Sequence, residues 1–151
     1  MHQQIARAIE ASTRVKSTPP PLPSYVKPLP SNIGPDEMAY LNTKGALSVP
    51  DIAVVQQIIL SYAEWHHPLM PILEISSMLQ AITADSQTNS SISLLLLQAV
   101  LYTGSAHVDI KWLHQAGHSS RRAARSAYYH KARVSLPTTR KSCLVMGGSI
   151  D

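Results

Sequence analysis

Proline draws the outline of this chain before any other residue type does. The ring fixes φ near −65° and removes a backbone donor, so a proline cluster cannot be regular helix or central strand. Seven of the eleven prolines fall between Pro19 and Pro35, and Pro68 and Pro71 interrupt the middle. Residues 1–34 are therefore expected to be a disordered, Pro-rich, extended linker. The ordered body is expected over residues 35–136, and the tail after Pro137, which has no clear periodicity, is expected to be unstructured.

Between these breaks the punctuation is helical. Pro35, then Asp36 and Glu37, suit a helix start, with Lys44 near the far end and Gly45 as the stop. Ser48 and Asp51 have capping-box spacing, with Pro50 in the first turn. Ile52, Val55, Ile59 and Tyr62 then recur at helical steps, with Val54, Ile58 and Trp65 alongside. Pro68 must end this helix near His66 or His67. After the Met70-Pro71 corner, Ile75, Met78, Leu79 and Ile82 resume the pattern, and residues 83–91 read as a loop. Ser90 or Ser91 is the expected cap for SISLLLLQAVLYTG, which is apolar on every side and stopped by Gly104. A short piece from Lys111 to Ala116 stops at Gly117, and Ser119 or Ser120 caps RRAARSAYYHKARVS. No strand pattern competes. The expected fold is all-α, an irregular array of about five to six helices preceded by an extended segment.

Several function classes are weak on the residues themselves. The one cysteine, Cys143, excludes an internal disulfide and a multi-thiolate zinc site. No stretch approaches the roughly 20 apolar residues of a membrane span, and MHQQIARAIEAS has no signal-peptide core, so a soluble intracellular protein is expected. His66 and His67 are adjacent and point about 100° apart on a helix, poor geometry for chelating one ion. His67 is better placed to donate to carbonyls at the helix end. His114 and His118 have chelating spacing, but Gly117 lies between them and no third ligand follows. Ser105, His107 and Asp109 have the residue types of a hydrolase triad, but alternate residues of one loop diverge. No catalytic, cofactor-binding or metal residue is assigned.

Charge is more informative. Residues 51–118 hold one basic and five acidic residues, whereas from Ser119 onward there are seven basic and one acidic. On the last helix Arg122, Arg125, Tyr129 and Arg133 form one stripe, with Arg121 and Lys131 nearby and Ala123, Ala127 and Val134 opposite. Arg121, Arg122, Arg125 and Arg133 are thus the candidate phosphate contacts of a small basic nucleic-acid-binding helix, the alternative to a solvated helix face.

Two blocks carry a resemblance. In YLNTKGALSVPDIAVVQQIILSYAEWHHPLMPILE, the residues Tyr40-Leu41, Lys44 to Leu47, Pro50, Tyr62, His67, Pro68 and Pro71 resemble the opening of the fungal-specific transcription factor domain. This is the middle homology region of fungal binuclear-zinc-cluster regulators, and the extra His66 displaces the corner slightly from family spacing. LLLLQAVLYTGSAHVDIKWLHQAGHSSRRAARSAYYHKAR is similar to its Leu-Leu-Gln-Ala, Gly-Ser, Val-Asp, Ala-Gly and Ser-Arg-Arg series, in the cutinase and fatty-acid-utilisation subset. The resemblance covers about residues 22–134.

It implies an all-helical regulatory domain of a nuclear transcription factor for lipid or carbon-source genes. DNA would be read by a six-cysteine, two-zinc cluster upstream; this chain holds no such cluster and therefore no zinc of its own. After Arg133 the sequence departs from the family, and a truncated or mispredicted product is the expectation. A protein partner or homodimer is expected and a membrane is not. Burial of each large apolar side chain contributes about 1.5 to 3 kcal/mol. A partial domain is accordingly expected to leave parts of its apolar 93–102 helix uncovered and to be marginally stable.

Overall fold

In the computed structural model, residues 21–31, 33–83 and 91–146 are described. They form six helices: α1 (Pro35–Thr43), α2 (Ile52–Trp65), α3 (Ile75–Thr83), α4 (Leu94–Gly104), α5 (Ile110–Gln115) and α6 (Arg121–Met146). The fold is all-α, with no strand beyond one isolated bridge among the described residues.

Glycine closes two of the helices by a shared geometry. Gly45 has φ 66° and Gly117 φ 86°, the left-handed region that a Cβ disfavours. Gly45 N–H bonds Asn42 O and Ala46 N–H bonds Leu41 O, both at 2.9 Å. At the end of α5, Gly117 N–H bonds His114 O and His118 N–H bonds Leu113 O, also at 2.9 Å. These paired reversals are Schellman motifs, which satisfy carbonyls a helix end would leave open.

The sequence-based helix starts need two corrections. Asp51 is the N-cap of α2 and makes no side-chain cap bond, so the Ser48/Asp51 capping box does not form. The box needs its acid three residues inside the helix, and here that acid is the boundary residue itself. The cap of α4 is Ser93, whose Oγ accepts from Leu96 N–H at 3.2 Å, rather than Ser91; Ser90 lies outside the described residues. The start is delayed because Ile92 is engaged elsewhere. Its N–H bonds Tyr25 O and its carbonyl accepts from Lys27 N–H, both at 2.8 Å, forming a parallel bridge with Val26. For α6 the expectation of Ser120 holds, since its Oγ accepts from Ala123 N–H.

That bridge also corrects the linker. Tyr25 and Val26 are buried, 8% and 4% exposed, and join the core, with Leu22 and Leu29 partly buried against it. Residues 1–20 of the expected linker lie outside the described residues. A short apolar pair between prolines can dock as an edge segment because proline's missing donor costs nothing where no ladder continues.

The core is built around α4, which packs against α2 on one side and α6 on the other. Val54, Val55, Ile58 and Ile59 of α2 meet Leu97, Val100 and Leu101 of α4, all at most 2% exposed. Contrary to expectation, Ile52 and Trp65 at the two ends of α2 face outward, at 43% and 53% exposure. The α4 helix itself is largely covered. The most exposed apolar side chains lie instead at the corner after α2, where Leu69, Met70 and Ile72 are 81%, 62% and 73% exposed. The corner is fixed locally: His66 and His67 N–H both bond Tyr62 O, and His67 Nε2 donates to Leu73 O at 3.0 Å. His67 therefore ties the far side of the corner to the helix end, where a bond to the helix's own carbonyls was expected.

Pro137 does not end α6, which runs through it to Met146. Proline removes one backbone bond and strains its turn, but it interrupts a helix already set by upstream packing rather than preventing its continuation. No described helix is long and apolar enough to cross a membrane.

Candidate functional site

The arginine stripe divides into residues held by the fold and residues left to solvent. Arg121 is half-buried, and its Nη1 donates to Ser105 O at 3.0 Å and Val108 O at 2.7 Å, clamping the α4–α5 connection to the start of α6. Arg125 lies with its guanidinium 4.9 Å from the Tyr102 ring centroid, and its Nη2 donates to Tyr102 Oη at 3.2 Å. Lys131 also turns inward: Nζ donates to Ser48 O at 2.9 Å, and burial pushes its amine below the usual lysine range. Arg122 and Arg133 are exposed.

The buried face of α6 is Ala124, Tyr128 and Ser135, not the expected Ala123, Ala127 and Val134, all three of which are half-buried. In a helix rich in Ala and Arg the apolar stripe is too faint for the sequence to fix its phase. Tyr128, fully buried, was the missed anchor.

Between α4 and α6 these residues line an open groove of about 580 Å³, bounded by Tyr102, Arg121, Arg122, Arg125, Ser126 and Tyr129. Of the four predicted contacts, three converge here and Arg133 does not. Tyr102 and Tyr129 are 5.8 Å apart in a tilted pair. Among the described residues no carboxylate lines the groove. Among the described residues the one ion pair is Lys111–Asp109 at 3.4 Å, and none of the three arginines takes part in it.

The other candidate constellations do not converge. Ser105 Oγ donates to Tyr102 O; Asp109 caps α5 by accepting from Lys111 N–H, the main cause holding its carboxyl below the usual range. His107 stacks on Trp65 at 5.0 Å. Each member of the supposed triad thus has a partner outside it. His118 meets the edge of Tyr128 at 5.2 Å, while His114 is exposed. Among the described residues no three His, Cys, Asp or Glu side chains are close enough to hold a metal. A binuclear thiolate cluster does not fit a chain with one cysteine.

Two histidines are tuned by the packing. His66 stacks on Tyr62 at 5.7 Å and sits 5.3 Å from His107; burial, then His107 and Arg125, push its imidazole below the usual value. Burial and Lys131 do the same for His118. The unfolded chain therefore takes up protons first as pH falls below about 6.5. Stability is full above that value and declines toward the lower folded-state values. We expect the urea midpoint to fall between pH 7.5 and 5.5. A His66→Phe/His118→Phe variant, keeping both ring contacts, should show a flatter dependence; an unchanged slope would refute the assignment.

What the geometry defines is an all-helical module carrying a cationic, tyrosine-lined groove. Comparison with known proteins places that module. Cutinase transcription factor 1 beta of Fusarium vanettenii is 39% identical over 113 residues, which is 75% of this chain and 13% of that protein. The transcription factor cpaR of Aspergillus oryzae is 35% identical over 113 residues, 75% of this chain and 19% of its own length. A transcription factor of Fusarium pseudograminearum (strain CS3096) is 29% identical over the same length, 75% of this chain and 12% of the relative. No family model matches, and no solved structure does. The chain is a relative of fungal transcription factors, the class its sequence resembles. The matched segment is a small part of each of them, about an eighth of the first.

Proposed function

We propose that this chain is a regulatory, partner-binding module of a fungal transcription regulator and not an enzyme. It acts in the nucleus on lipid or carbon-source genes, with DNA reading supplied by a zinc cluster on another segment or subunit. The observation that carries this reading is the 39% identity to a cutinase transcription factor over 113 residues. The described residues make a helical core, with no converging nucleophile, base and acid in the one triad-like constellation. Lys131 is turned inward onto Ser48 O and Arg133 stands apart from the other three arginines, which favours this reading over direct phosphate contact by the whole stripe.

Expression of the tagged chain in a filamentous fungus carrying an intact regulator of this class tests it. The chain should be found in the nucleus and should lower induction of lipid-responsive genes by competing for the regulator's partners. Exclusion from the nucleus together with unchanged induction would defeat the reading. Metal analysis of the purified chain should find no stoichiometric zinc.

A further inference from the structure

We propose that the groove between α4 and the N-terminal turns of α6 docks an acidic peptide segment of a partner protein. Arg121, Arg122 and Arg125 converge on it without a carboxylate among its lining residues. The nearest acid in charge contact, Asp109, feels Arg121 but is paired with Lys111. Three guanidinium groups in one concavity, none in an ion pair among the described residues, form a site complementary to carboxylates, which planar N–H forks grip in pairs.

Two of the three are already ordered. Arg121 is held by two carbonyls through one terminal nitrogen, and Arg125 is laid on Tyr102, so their remaining donors are presented with little further loss of side-chain freedom. Arg125 Nε is buried without a partner. Arg122 and Tyr129, both exposed, form the rim, and Tyr129 offers a ring face for an aromatic or aliphatic residue beside the acids.

The shape selects the occupant. An enclosed cavity would suit a small molecule, most of whose surface must be buried, but this groove is open along the helix. Recognition of acidic motifs by arginine clusters fits such a trough. Within the 151 residues of this chain the acidic residues are scattered singly except for Asp36-Glu37, which lie in α1, so none of them forms the acidic run the groove would take. This deepens the partner-binding reading above but is tested with purified protein, so it can fail while the cellular result stands.

The test is fluorescence anisotropy of a dye-labelled peptide of mixed aspartate and glutamate carrying one tyrosine, titrated with the full chain. The acidic peptide should bind, its amide counterpart with glutamine and asparagine should not, and rising salt should weaken binding. Arg122→Glu should weaken it by about tenfold with an unchanged circular dichroism spectrum, because the side chain is exposed. Arg133→Glu, exposed on the same helix but outside the groove, should change it little. Arg122→Gln serves if charge reversal disturbs folding. Equal losses from Arg122→Glu and Arg133→Glu would reduce the effect to a diffuse basic field and overturn the proposal. So would tighter binding of a DNA duplex that displaces the peptide, or no peptide binding at low salt.

Discussion

Replacing Gly104 with alanine should destabilise the protein by about 2 kcal/mol, although alanine is the better helix former. Gly104 is the last residue of α4 and is buried where that helix crosses α2. A Cβ there would run into the backbone carbonyl of Ile58 and lie 2.8 Å from its Cγ2. A side chain can turn away; a helix carbonyl cannot without moving the helix. Ser61 Oγ adds a tie by donating to Gly104 O at 3.2 Å, so separating the helices also weakens a buried bond. The overpacking cost of about 3 kcal/mol exceeds the gain of about 1 kcal/mol from removing glycine from a helix. Urea denaturation should show a midpoint lower by about 1 M. Ala99→Ser, on the exposed side of the same helix, should be close to neutral. A Gly104→Ala protein as stable as the parent would mean that α2 and α4 do not approach as described.

Tyr128 carries the second large effect. It is fully buried on the inner face of α6, with the His118 ring at its edge and Lys131 Nζ 5.8 Å from its centroid. Tyr128→Ala should cost about 3 to 5 kcal/mol, the range for removing a large aromatic from a packed core. That is a large share of the about 5 to 15 kcal/mol that holds a typical domain together, so the variant should be largely unfolded at moderate temperature. Tyr128→Phe should behave oppositely. The hydroxyl is buried with no hydrogen-bond partner, and burial pushes its ionisation up to about 12. Removing a buried group whose bonds are unmade relieves its desolvation cost, so phenylalanine should be neutral or stabilising by about 1 kcal/mol. A loss above about 1 kcal/mol for Tyr128→Phe would show that the hydroxyl finds a partner after all. Thermal unfolding of both variants decides between these outcomes.

Both sites show where reading a sequence stops. Gly104 was legible as a glycine near a helix end, the usual signature of a stop, yet Ser105 continues in helical conformation at the cap and no left-handed residue follows. Its role is proximity to Ile58, 46 positions earlier, which no local rule contains. Tyr128 stood in a run of Ala, Arg and Tyr with two tyrosines side by side. Which of them turned inward depended on what α4 offered opposite. The groove was half visible: Arg121, Arg122 and Arg125 were singled out on one helix, but Tyr102 comes from another and was not connected to them. Arg133, grouped with them by periodicity, is not among the residues that line the groove.

The linker and the final helix make the same point from the other direction. Tyr25 and Val26 sit among prolines and were expected to be part of an extended, unpacked segment. Residues 23–26 make a turn, closed by Val26 N–H on Pro23 O at 2.9 Å, from which Val26 bridges to Ile92. The burial was not foreseeable, since it required the 91–93 segment to be present alongside. Pro137 was expected to end α6 on local grounds, and the helix passes through it.

By itself the sequence determined the all-helical character, the positions of most helix breaks and the kinship with fungal regulators. Those follow from properties of single residues and their near neighbours: proline's fixed φ and missing donor, glycine's freedom at Gly45 and Gly117, and apolar spacing at three and four. Tertiary structure alone decided which face of α6 is buried, that Gly104 must remain bare, that Tyr25 and Val26 join the core, and that Arg121, Arg122 and Arg125 meet Tyr102 in one groove. The physical reason is that burial and hydrogen-bond satisfaction belong to pairs of surfaces, and a surface acquires a partner only when distant segments of the chain have come together.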